Sequence, residues 1–370
     1  MSTNAPFIFQ VNKNDFGVLF IDLLKLEWAK ECPFSELIGN YKAGDGKATD
    51  DLKEIAENDT CKTALNIIAK PLHRTIYNTG GSVLGVSYLN VYSNKAIDKQ
   101  GFVSITPSFE DSILIQYFDS SESYAQWFAD TVSMSENDEV QSYLPVKFPL
   151  ESLVFVLHAI DCFKRISFKS MLDYKPTDES MISSKEYGEM LKVSAESKDV
   201  RWLLPAFSMM TPNLERYKMN LGPDHMKILT DEKIFTAVKK QDSGEEFFLY
   251  TEAGQRLGVE FYSSWMMGIG FESVTFGESG AENVKDNGFI APTVLGNHFF
   301  QIEEDDKGNG VVDYSVMTYE KLINKVNELL QKAVSASSTN KKVDTSKCAN
   351  CDSSLDNNAK FCAKCGTEAQ

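Results

Sequence analysis

Residues 268–276 read Gly-Ile-Gly-Phe-Glu-Ser-Val-Thr-Phe. The two glycines end the helical pattern that precedes them, and the run from Phe271 to Phe276 has the composition of a β-strand. Strand-like runs at 289–295 and 299–302 come next, and an amphipathic helix then begins at Thr318. The pattern therefore predicts a unit in which a helix is followed by three strands and a second helix.

The same order of elements occurs earlier in the chain. Gly80-Gly81 ends another helical pattern, and a helix begins later near Ser121. Three strand-like runs lie between them, at 82–92, 102–107 and 113–118. The middle strands also match, with Gly-Phe-Val-Ser at 101–104 and Gly-Phe-Ile-Ala at 288–291. The two segments read as divergent copies of one unit, with coincidental similarity as the alternative.

These patterns predict an α+β fold in which two helix–strand–strand–strand–helix units, residues 52–133 and 251–334, share one core around a pseudo-twofold axis. Helical signals are also present from 226 to 238. The predicted domains, in chain order, are a first α+β half (1–134), a second α+β half (150–334), a flexible linker (335–347) and a C-terminal module (348–370).

The composition is that of a globular protein with an aromatic core, since 42% of the 370 residues are hydrophobic and 24 are Phe. No apolar run approaches the roughly 18 residues of a membrane span, and no secretory signal is visible at the N-terminus. Cys32, Cys61 and Cys162 are widely separated, which is typical of buried thiols in a reducing compartment. We therefore expect a soluble, cytoplasmic protein without a membrane span.

The net charge of −16 argues against nucleic-acid binding. Proteins that bind nucleic acids present a basic face, because neutralising phosphates supplies much of their affinity. From Lys341 to the end of the chain there are five lysines and four acidic residues, so the body carries the negative charge. A protein partner fits this charge better than a nucleic acid does.

Four cysteines near the C-terminus form a motif with a specific chemistry. Cys348 and Cys351 make one C-x-x-C pair, and Cys362 and Cys365 make a second pair ten residues further on. Four thiolates at this spacing close a tetrahedral shell around one Zn²⁺ and leave no position for water or substrate. The sequence therefore predicts one structural zinc ion, bound by these four residues.

This segment resembles the short zinc ribbons found at the termini of many bacterial proteins, and residues 359–362, Ala-Lys-Phe-Cys, fit their pattern. The resemblance covers roughly twenty residues. It departs from the pattern at Asp352, where such ribbons usually have glycine. It implies a bacterial protein with a zinc-binding tail.

The remaining sequence contains no evident catalytic or cofactor motif. The four histidines are far apart, and none has metal or catalytic spacing: His73, His158, His225 and His298. Gly277-Glu278-Ser279-Gly280 misses the spacing of a nucleophile elbow by one position. These patterns favour a protein without enzymatic activity, although a site formed by residues distant in sequence would leave no such signature.

Residues 305–316 match part of a calcium-binding loop, with Asp305, Asn309 and Asp313 at ligand positions. Lys307 has the wrong charge for its position, and Val316 replaces the bidentate glutamate. We therefore predict a solvated turn before the last helix.

Residues 249–254, Leu-Tyr-Thr-Glu-Ala-Gly, resemble the strand-to-helix corner of winged-helix domains, in which a threonine caps the helix. A winged helix that reads DNA needs a cationic recognition helix, whereas residues 234–241 contain just Lys239 and Lys240 as cations. We therefore expect the corner to serve the fold or a protein contact.

Together these observations predict a non-enzymatic cytoplasmic interaction protein, an adaptor or chaperone-like body with a structural zinc-ribbon tail. In its doubled plan the body is similar to the cytosolic chaperones of type VII secretion systems, a similarity of organisation alone. The alternative is a nucleic-acid-associated regulator that uses the winged-helix-like segment, about residues 224–266, and the ribbon.

The zinc prediction can be checked by metal analysis of the purified protein. We expect one zinc ion per chain, and its loss when Cys348 and Cys351 are both changed to Ser. Chelation should leave the thermal unfolding of the body unchanged, because the ribbon is predicted to fold independently of the body when it binds zinc. The free energy of binding such a structural zinc ion is about 10 kcal/mol. Retention of zinc in the double variant would contradict the assignment.

Overall fold

A computed structural model describes residues 5–81, 85–93, 101–108, 111–175, 180–262, 268–277 and 281–339. The strands are β1 (Phe7–Asn12), β2 (His73–Gly81), β3 (Gly85–Ser93), β4 (Phe102–Pro107), β5 (Ser112–Phe118), β6 (Lys147–Pro149), β7 (Met181–Ser183), β8 (Phe235–Lys239), β9 (Glu246–Tyr250), β10 (Gly268–Phe276), β11 (Glu282–Pro292), β12 (Asn297–Glu304) and β13 (Gly310–Met317).

The helices are α1 (Ser35–Gly39), α2 (Asp50–Glu57), α3 (Asp59–Ala69), α4 (Ser121–Val132), α5 (Leu150–Leu172), α6 (Ser184–Glu196), α7 (Leu203–Met210), α8 (Ile228–Asp231), α9 (Glu252–Tyr262) and α10 (Tyr319–Thr339). Short 3₁₀ turns lie at Lys13–Asp15, Leu214–Arg216 and Pro223–Lys227, and a π-helical turn lies at Val18–Leu23. The predicted α+β class is confirmed.

Ten strands form one antiparallel sheet in the order β1-β5-β4-β3-β2-β10-β11-β12-β13-β6. The seam at its centre joins β2 to β10 over eight residue pairs, from Gly80 opposite Gly268 to His73 opposite Thr275. On either side of the seam a four-stranded meander is followed by an outer strand that comes earlier in sequence, β1 on one side and β6 on the other. The strand order is therefore symmetric about the seam.

The hairpins β3–β4 and β11–β12 also resemble each other. In each hairpin the two strands pair with each other over the residues that are nearest to their connection. The paired stretch starts at Asn90 opposite Ile105 in β3–β4 and at Gly288 opposite Gln301 in β11–β12. Beyond those pairs, among the described residues, each strand of a hairpin pairs only with its neighbour on the other side. Both halves thus combine a helix, four strands and a second helix, one strand more than the sequence patterns predicted.

Different helices cover the two faces of the sheet. On one face α4 and α10 pack antiparallel to each other, and their side chains form one hydrophobic cluster with Tyr77 and Phe271, which are opposite each other at the seam. On the other face α2 and α3 cover the first half of the sheet, whereas α5, α7 and α9 cover the second half. The aromatic residues at the seam therefore belong to a core that both halves share.

In each of the two predicted helix–strand–strand–strand–helix units, the sequence patterns missed one strand. The first predicted strand of the first half began at Ser82, but a strand already begins at His73 and forms the seam. In the second half, β13 occupies most of the segment that was predicted to be a solvated turn. The turn itself is confined to 305–308, where the Asp305 carboxylate accepts hydrogen bonds from the backbone N–H groups of Lys307 and Asn309, both at 2.8 Å.

Two other boundaries differ from the prediction. The helix predicted over 226–238 is wrong, because this segment contains the end of a 3₁₀ turn, the short α8 and then the strand β8. The linker was predicted to begin at 335, but α10 continues to Thr339. The rest of the predicted linker and the whole ribbon lie outside the described residues.

The segment after α7 crosses the centre of the sheet directly over the seam. The Asn78 side chain donates to the carbonyl of Met210 (2.8 Å), and the Asn287 side chain donates to the carbonyl of Pro212 (2.7 Å). Gly270 lies beneath the crossing, where a Cβ atom would be 2.0 Å from the Met210 carbonyl oxygen. Glycine at this position therefore permits the close approach of two backbones.

The α7 helix itself is held by a buried carboxylate. Asp161 in α5 accepts hydrogen bonds from the backbone N–H groups of Leu203 (2.8 Å) and Leu204 (2.9 Å), the first residues of α7. Burial raises the pKa of Asp161 to about 6, against the opposing effects of Lys164 and the two N–H groups. This cap fixes the start of the segment that crosses the seam.

Adding a methyl group at Gly270 tests the crossing. We expect Gly270→Ala to lower the free energy of unfolding by about 3 kcal/mol, because one of the two backbones must move. The control is Gly188→Ala on the exposed surface of α6, where a Cβ atom meets nothing within 4 Å. That change should raise the free energy of unfolding by roughly 0.5–1 kcal/mol. Urea unfolding followed by tryptophan fluorescence measures both, and equal effects would contradict the crossing.

Candidate functional site

The predicted zinc ligands Cys348, Cys351, Cys362 and Cys365 lie outside the described residues, so the zinc site stays a prediction. Within the described ranges, no group of three or more His, Cys, Asp or Glu side chains is arranged to hold a metal ion. The three cysteines that are described are buried and unpaired. Burial raises the pKa of the Cys32 and Cys61 thiols to about 11, so neither has the character of a reactive thiolate.

Two of the histidines are buried and neutral. His73 lies at the seam, where its ring nitrogens contact the hydroxyls of Ser273 (2.8 Å) and Ser93 (3.3 Å). His158 in α5 contacts the carbonyl of Tyr187 at 3.0 Å. Burial lowers the pKa of His73 to about 3 and that of His158 to about 4. Both therefore act as polar members of the core.

A third histidine belongs to a buried network that the sequence patterns did not indicate. His298 on β12 contacts the Glu260 carboxylate of α9 at 2.8 Å and the Tyr314 hydroxyl of β13 at 2.9 Å. The Thr293 hydroxyl also donates to Glu260, at 2.6 Å. Glu260 and His298 expose at most 2% of their side chains, so a substrate cannot reach this set of acid–base groups. The network fixes α9 against the sheet.

Two strands of the winged-helix-like segment, β8 and β9, form a small separate sheet with β7, which precedes the segment in the chain. Its three strands are arranged in the order β7-β9-β8. At the corner, the Thr251 hydroxyl accepts a hydrogen bond from the backbone N–H of Gly254 (3.3 Å), so a threonine does cap α9. Residues 181–250 contain ten Lys and Arg residues and eleven acidic residues, so this module has no cationic excess for binding phosphates.

The largest cavity described is an acidic groove at the junction of the two halves, with a volume of about 690 Å³. The end of α4, the segment 133–138 and the start of α10 enclose it. Its lining includes four carboxylates, those of Asp130, Glu136, Asp138 and Glu320. Among the described residues that line it, none is a lysine or arginine.

Short-range contacts hold the groove in shape. The Asn137 side chain donates to the carbonyls of Val294 (3.3 Å) and Leu295 (3.4 Å), which ties the segment 133–138 to the turn between β11 and β12. The Tyr319 hydroxyl donates to the Asp130 carboxylate across the two halves. Burial, together with this hydrogen bond, raises the pKa of Tyr319 to about 12, so the tyrosine stays a donor at neutral pH.

Apolar groups lie among the carboxylates of the acidic groove. Met134 is part of the lining and is exposed to solvent. Val294 and Leu295, next to the contacts made by Asn137, expose 44% and 47% of their surface. The acidic groove thus offers both carboxylates and an apolar surface to a ligand.

The acidic groove follows from a feature of the sequence. Residues 119–146 contain six acidic residues and no Lys, Arg or His. In the sequence, residues 133–149 are acidic and then contain prolines, which by itself indicates a linker between the halves. What the sequence did not indicate is that the start of α10 lies beside this segment.

A second cavity, of about 280 Å³, lies where β11 and β12 diverge. Part of its charge is paired within the protein, since the Lys332 ammonium lies 2.8 Å from the buried Asp286 carboxylate, which also accepts a hydrogen bond from Gln301 at 2.8 Å. It therefore offers a ligand fewer free charges than the acidic groove does.

No protein-family model matches the chain, and no curated protein matches it either. Across the described ranges, no helix combines the length and the apolar character needed to cross a membrane.

The Glu260–His298 pair can be tested by the pH dependence of stability. Burial alone would raise the pKa of Glu260, but His298, Thr293 and Tyr143 outweigh it and lower the pKa below 4.5. The pair therefore stabilises the protein above pH 4.5, and this contribution is lost as the pH falls through the lowered pKa.

We expect Glu260→Gln to reduce the free energy of unfolding at pH 7 by about 2–3 kcal/mol, because it leaves His298 without its carboxylate partner. The difference in the free energy of unfolding between the wild-type protein and the variant should become smaller as the pH falls from 6 to about 3. Urea titrations at each pH measure this free energy of unfolding. The control is Glu196→Gln on the exposed end of α6. A difference that does not change with pH would contradict the assigned role.

Proposed function

We propose that this protein is a non-enzymatic adaptor or chaperone-like protein, and that it binds a segment of another protein in the acidic groove. The observation that carries the proposal is the set of four carboxylates without a lining cation, in the largest cavity described. Uncompensated charge in a concave site favours ligands of the opposite sign and speeds their encounter.

The chemistry of the acidic groove favours a basic, amphipathic segment as the ligand. Lysine or arginine side chains would pair with Asp130, Glu136, Asp138 and Glu320, while apolar side chains would cover Met134. Burying an apolar side chain contributes about 1.5–3 kcal/mol, whereas exposed ion pairs contribute about 0–1 kcal/mol each. The apolar contact would supply affinity, and the carboxylates would select the partner.

An enzymatic function has less support. The Glu260–His298 pair, in which a carboxylate and an imidazole lie at hydrogen-bond distance, is inside the core. The carboxylates of the acidic groove face no histidine, lysine or cysteine among its lining residues. This arrangement suits binding better than proton transfer or nucleophilic attack.

We propose that the zinc ribbon is a second contact with the partner and that the protein acts in the bacterial cytoplasm. Cys32, Cys61 and Cys162, which are buried and unpaired, support a reducing compartment. The resemblance of the tail to bacterial ribbons supports the origin.

A nucleic-acid-associated regulator is the rival function, and the arrangement of β7, β8, β9 and the Thr251 cap supports it. The near balance of charges over 181–250 speaks against it. Retention on duplex DNA at low salt, lost on changing Lys239 and Lys240 to Ala, would favour this rival.

Photo-crosslinking from the acidic groove tests the proposed function. A photoreactive amino acid at Met134 of the full-length chain, expressed in the native host, should crosslink to one protein through a lysine- or arginine-bearing segment. Charge reversal by Glu136→Lys with Asp138→Lys should reduce the crosslinked yield at least about tenfold, because repulsion replaces attraction. The yield in the unreversed protein should also fall as the salt concentration rises.

The matched control is Asp50→Lys with Glu54→Lys on the exposed surface of α2, which makes the same change in net charge elsewhere. This control should leave the yield unchanged. Absence of any protein crosslink at position 134, or equal losses in the two double variants, would overturn the proposal.

A further inference from the structure

The two edges of the ten-stranded sheet differ in how they are protected against pairing with another strand. At one edge β6 has three residues, of which Lys147 is charged and Pro149 has no N–H group to donate. Lys147 is also held in ion pairs with Glu303 (3.2 Å) and Asp313 (3.6 Å). Short length, charge and proline are the usual devices that prevent a sheet edge from pairing further.

At the other edge β1 has none of these devices. Its six residues, Phe-Ile-Phe-Gln-Val-Asn, include no charge and no proline. All six pair with β5, and β1 has no second strand neighbour within the described part of the chain. Phe7 and Ile8 expose 39% and 51% of their surface. A long, apolar and uncharged edge is a template for an additional strand.

We propose that β1 pairs antiparallel with β1 of a second copy of this chain, forming a twofold symmetric dimer with one continuous sheet. Directly opposite residues of an antiparallel pair point to the same face of the sheet. Phe7, Phe9 and Val11 point to the face covered by α3, so they must align with one another if the two sheets are to continue smoothly.

The sequence of β1 is complementary to itself in that alignment. When Phe9 lies opposite Phe9 of the second copy, Phe7 lies opposite Val11 and Ile8 lies opposite Gln10. Residues 7–11 of both strands are then paired, and no like charges meet within the strand. Aromatic and β-branched cross-strand pairs of this kind stabilise a sheet.

The charges at the ends of β1 support the same alignment. It brings Lys13 of one copy next to residues 5–7 of the other copy, where Asp119 lines the same small cavity as Phe7. Asp119 has no salt bridge among the residues that the structure describes. Lys13 lies 3.3 Å from Asp111 of its own chain, and in the dimer it could exchange this exposed ion pair for one with Asp119 of the second copy.

The protected edge at β6 explains why such pairing would stop at two copies. A contact in which the same surface is used by both partners closes on itself, whereas pairing of two different edges would continue into a fibre. Because β6 resists pairing, the β1–β1 contact uses the edge strand of this sheet that lacks such protection.

The mass of the full-length protein in solution tests this inference. Light scattering after size-exclusion chromatography should give a mass near twice 41.4 kDa. Ile8→Lys places a charge on the exposed edge without a change in the core, and should raise the dimer dissociation constant at least about tenfold. The control is Val146→Lys, an exposed apolar residue beside the protected edge, which should leave the mass unchanged.

A cysteine at the symmetry axis gives a second, geometric test. In the proposed alignment Phe9→Cys meets itself at a Cα separation of about 4.5–5.5 Å, within the range of a disulfide. Mild oxidation should give a covalent dimer in Phe9→Cys and none in the wild-type chain or in Gln255→Cys on α9, far along the chain from β1.

Two outcomes would overturn the proposal. A monomeric mass for the wild-type protein would contradict the β1–β1 dimer and would indicate that any strand that pairs with β1 comes from a different protein. A dimer that persists in Ile8→Lys and gives no crosslink in Phe9→Cys would show that the copies meet through another surface. Circular dichroism of each variant establishes that it has folded.

Discussion

The pairing of β2 with β10 is the constraint on which the rest of the structure depends. Each half of the sheet is a meander whose first strand would otherwise present a row of unpaired backbone groups. At the seam the eight residue pairs satisfy both strands at once. The crossing segment 210–212 covers one face of this seam, and the shared cluster of α4 and α10 covers the other. Neither half can therefore keep its edge paired and its aromatic residues covered without the other.

The seam also explains why polar side chains are found at the centre of the sheet. His73, Thr75 and Ser273 are buried, which would be unfavourable without partners. They bond to one another across the seam, where the Ser273 hydroxyl lies 2.8 Å from His73 and 3.4 Å from Thr75. These hydrogen bonds form only when the two halves associate. Their net contribution to stability therefore belongs to the association of the halves rather than to either half alone.

This dependence sets the limit of what the sequence could predict. Signals that act over a few residues could be predicted. The amphipathic helix does begin after Thr318, whose hydroxyl accepts a hydrogen bond from the backbone N–H group of Lys321 (3.3 Å). The strand β2 was missed because His-Arg-Thr-Ile-Tyr-Asn-Thr lacks the apolar character of a buried strand. Its burial is made favourable by partners about 200 residues away, such as Ser273 for His73, and no local pattern contains that information.

The acidic groove likewise combines features that the sequence could predict with features that it could not. Its carboxylates on 130–138 could be read from the sequence, since they belong to an uninterrupted acidic stretch. In the structure α10 begins beside them, so they belong to the wall of a cavity, whereas a linker would be solvated on all sides. The contact of Tyr319 with Asp130, which joins the two halves at the acidic groove, could not be anticipated from residues 189 positions apart.

The positions of the acidic groove and of the β1 edge bear on how a partner would be held. The acidic groove lies at the end of α4, whereas the small cavity beside β1 lies at its start, where Ser123 is part of the lining. The twelve residues of α4 span roughly 18 Å. Pairing at the β1 edge would therefore leave the acidic groove of each copy free and place two of them in one assembly. Two sites on one rigid sheet raise the effective concentration of a partner that has two basic segments. A partner with one basic segment would gain nothing from the second copy. The number of basic segments that the partner presents, rather than the affinity of a single acidic groove, would therefore decide how tightly the partner is retained.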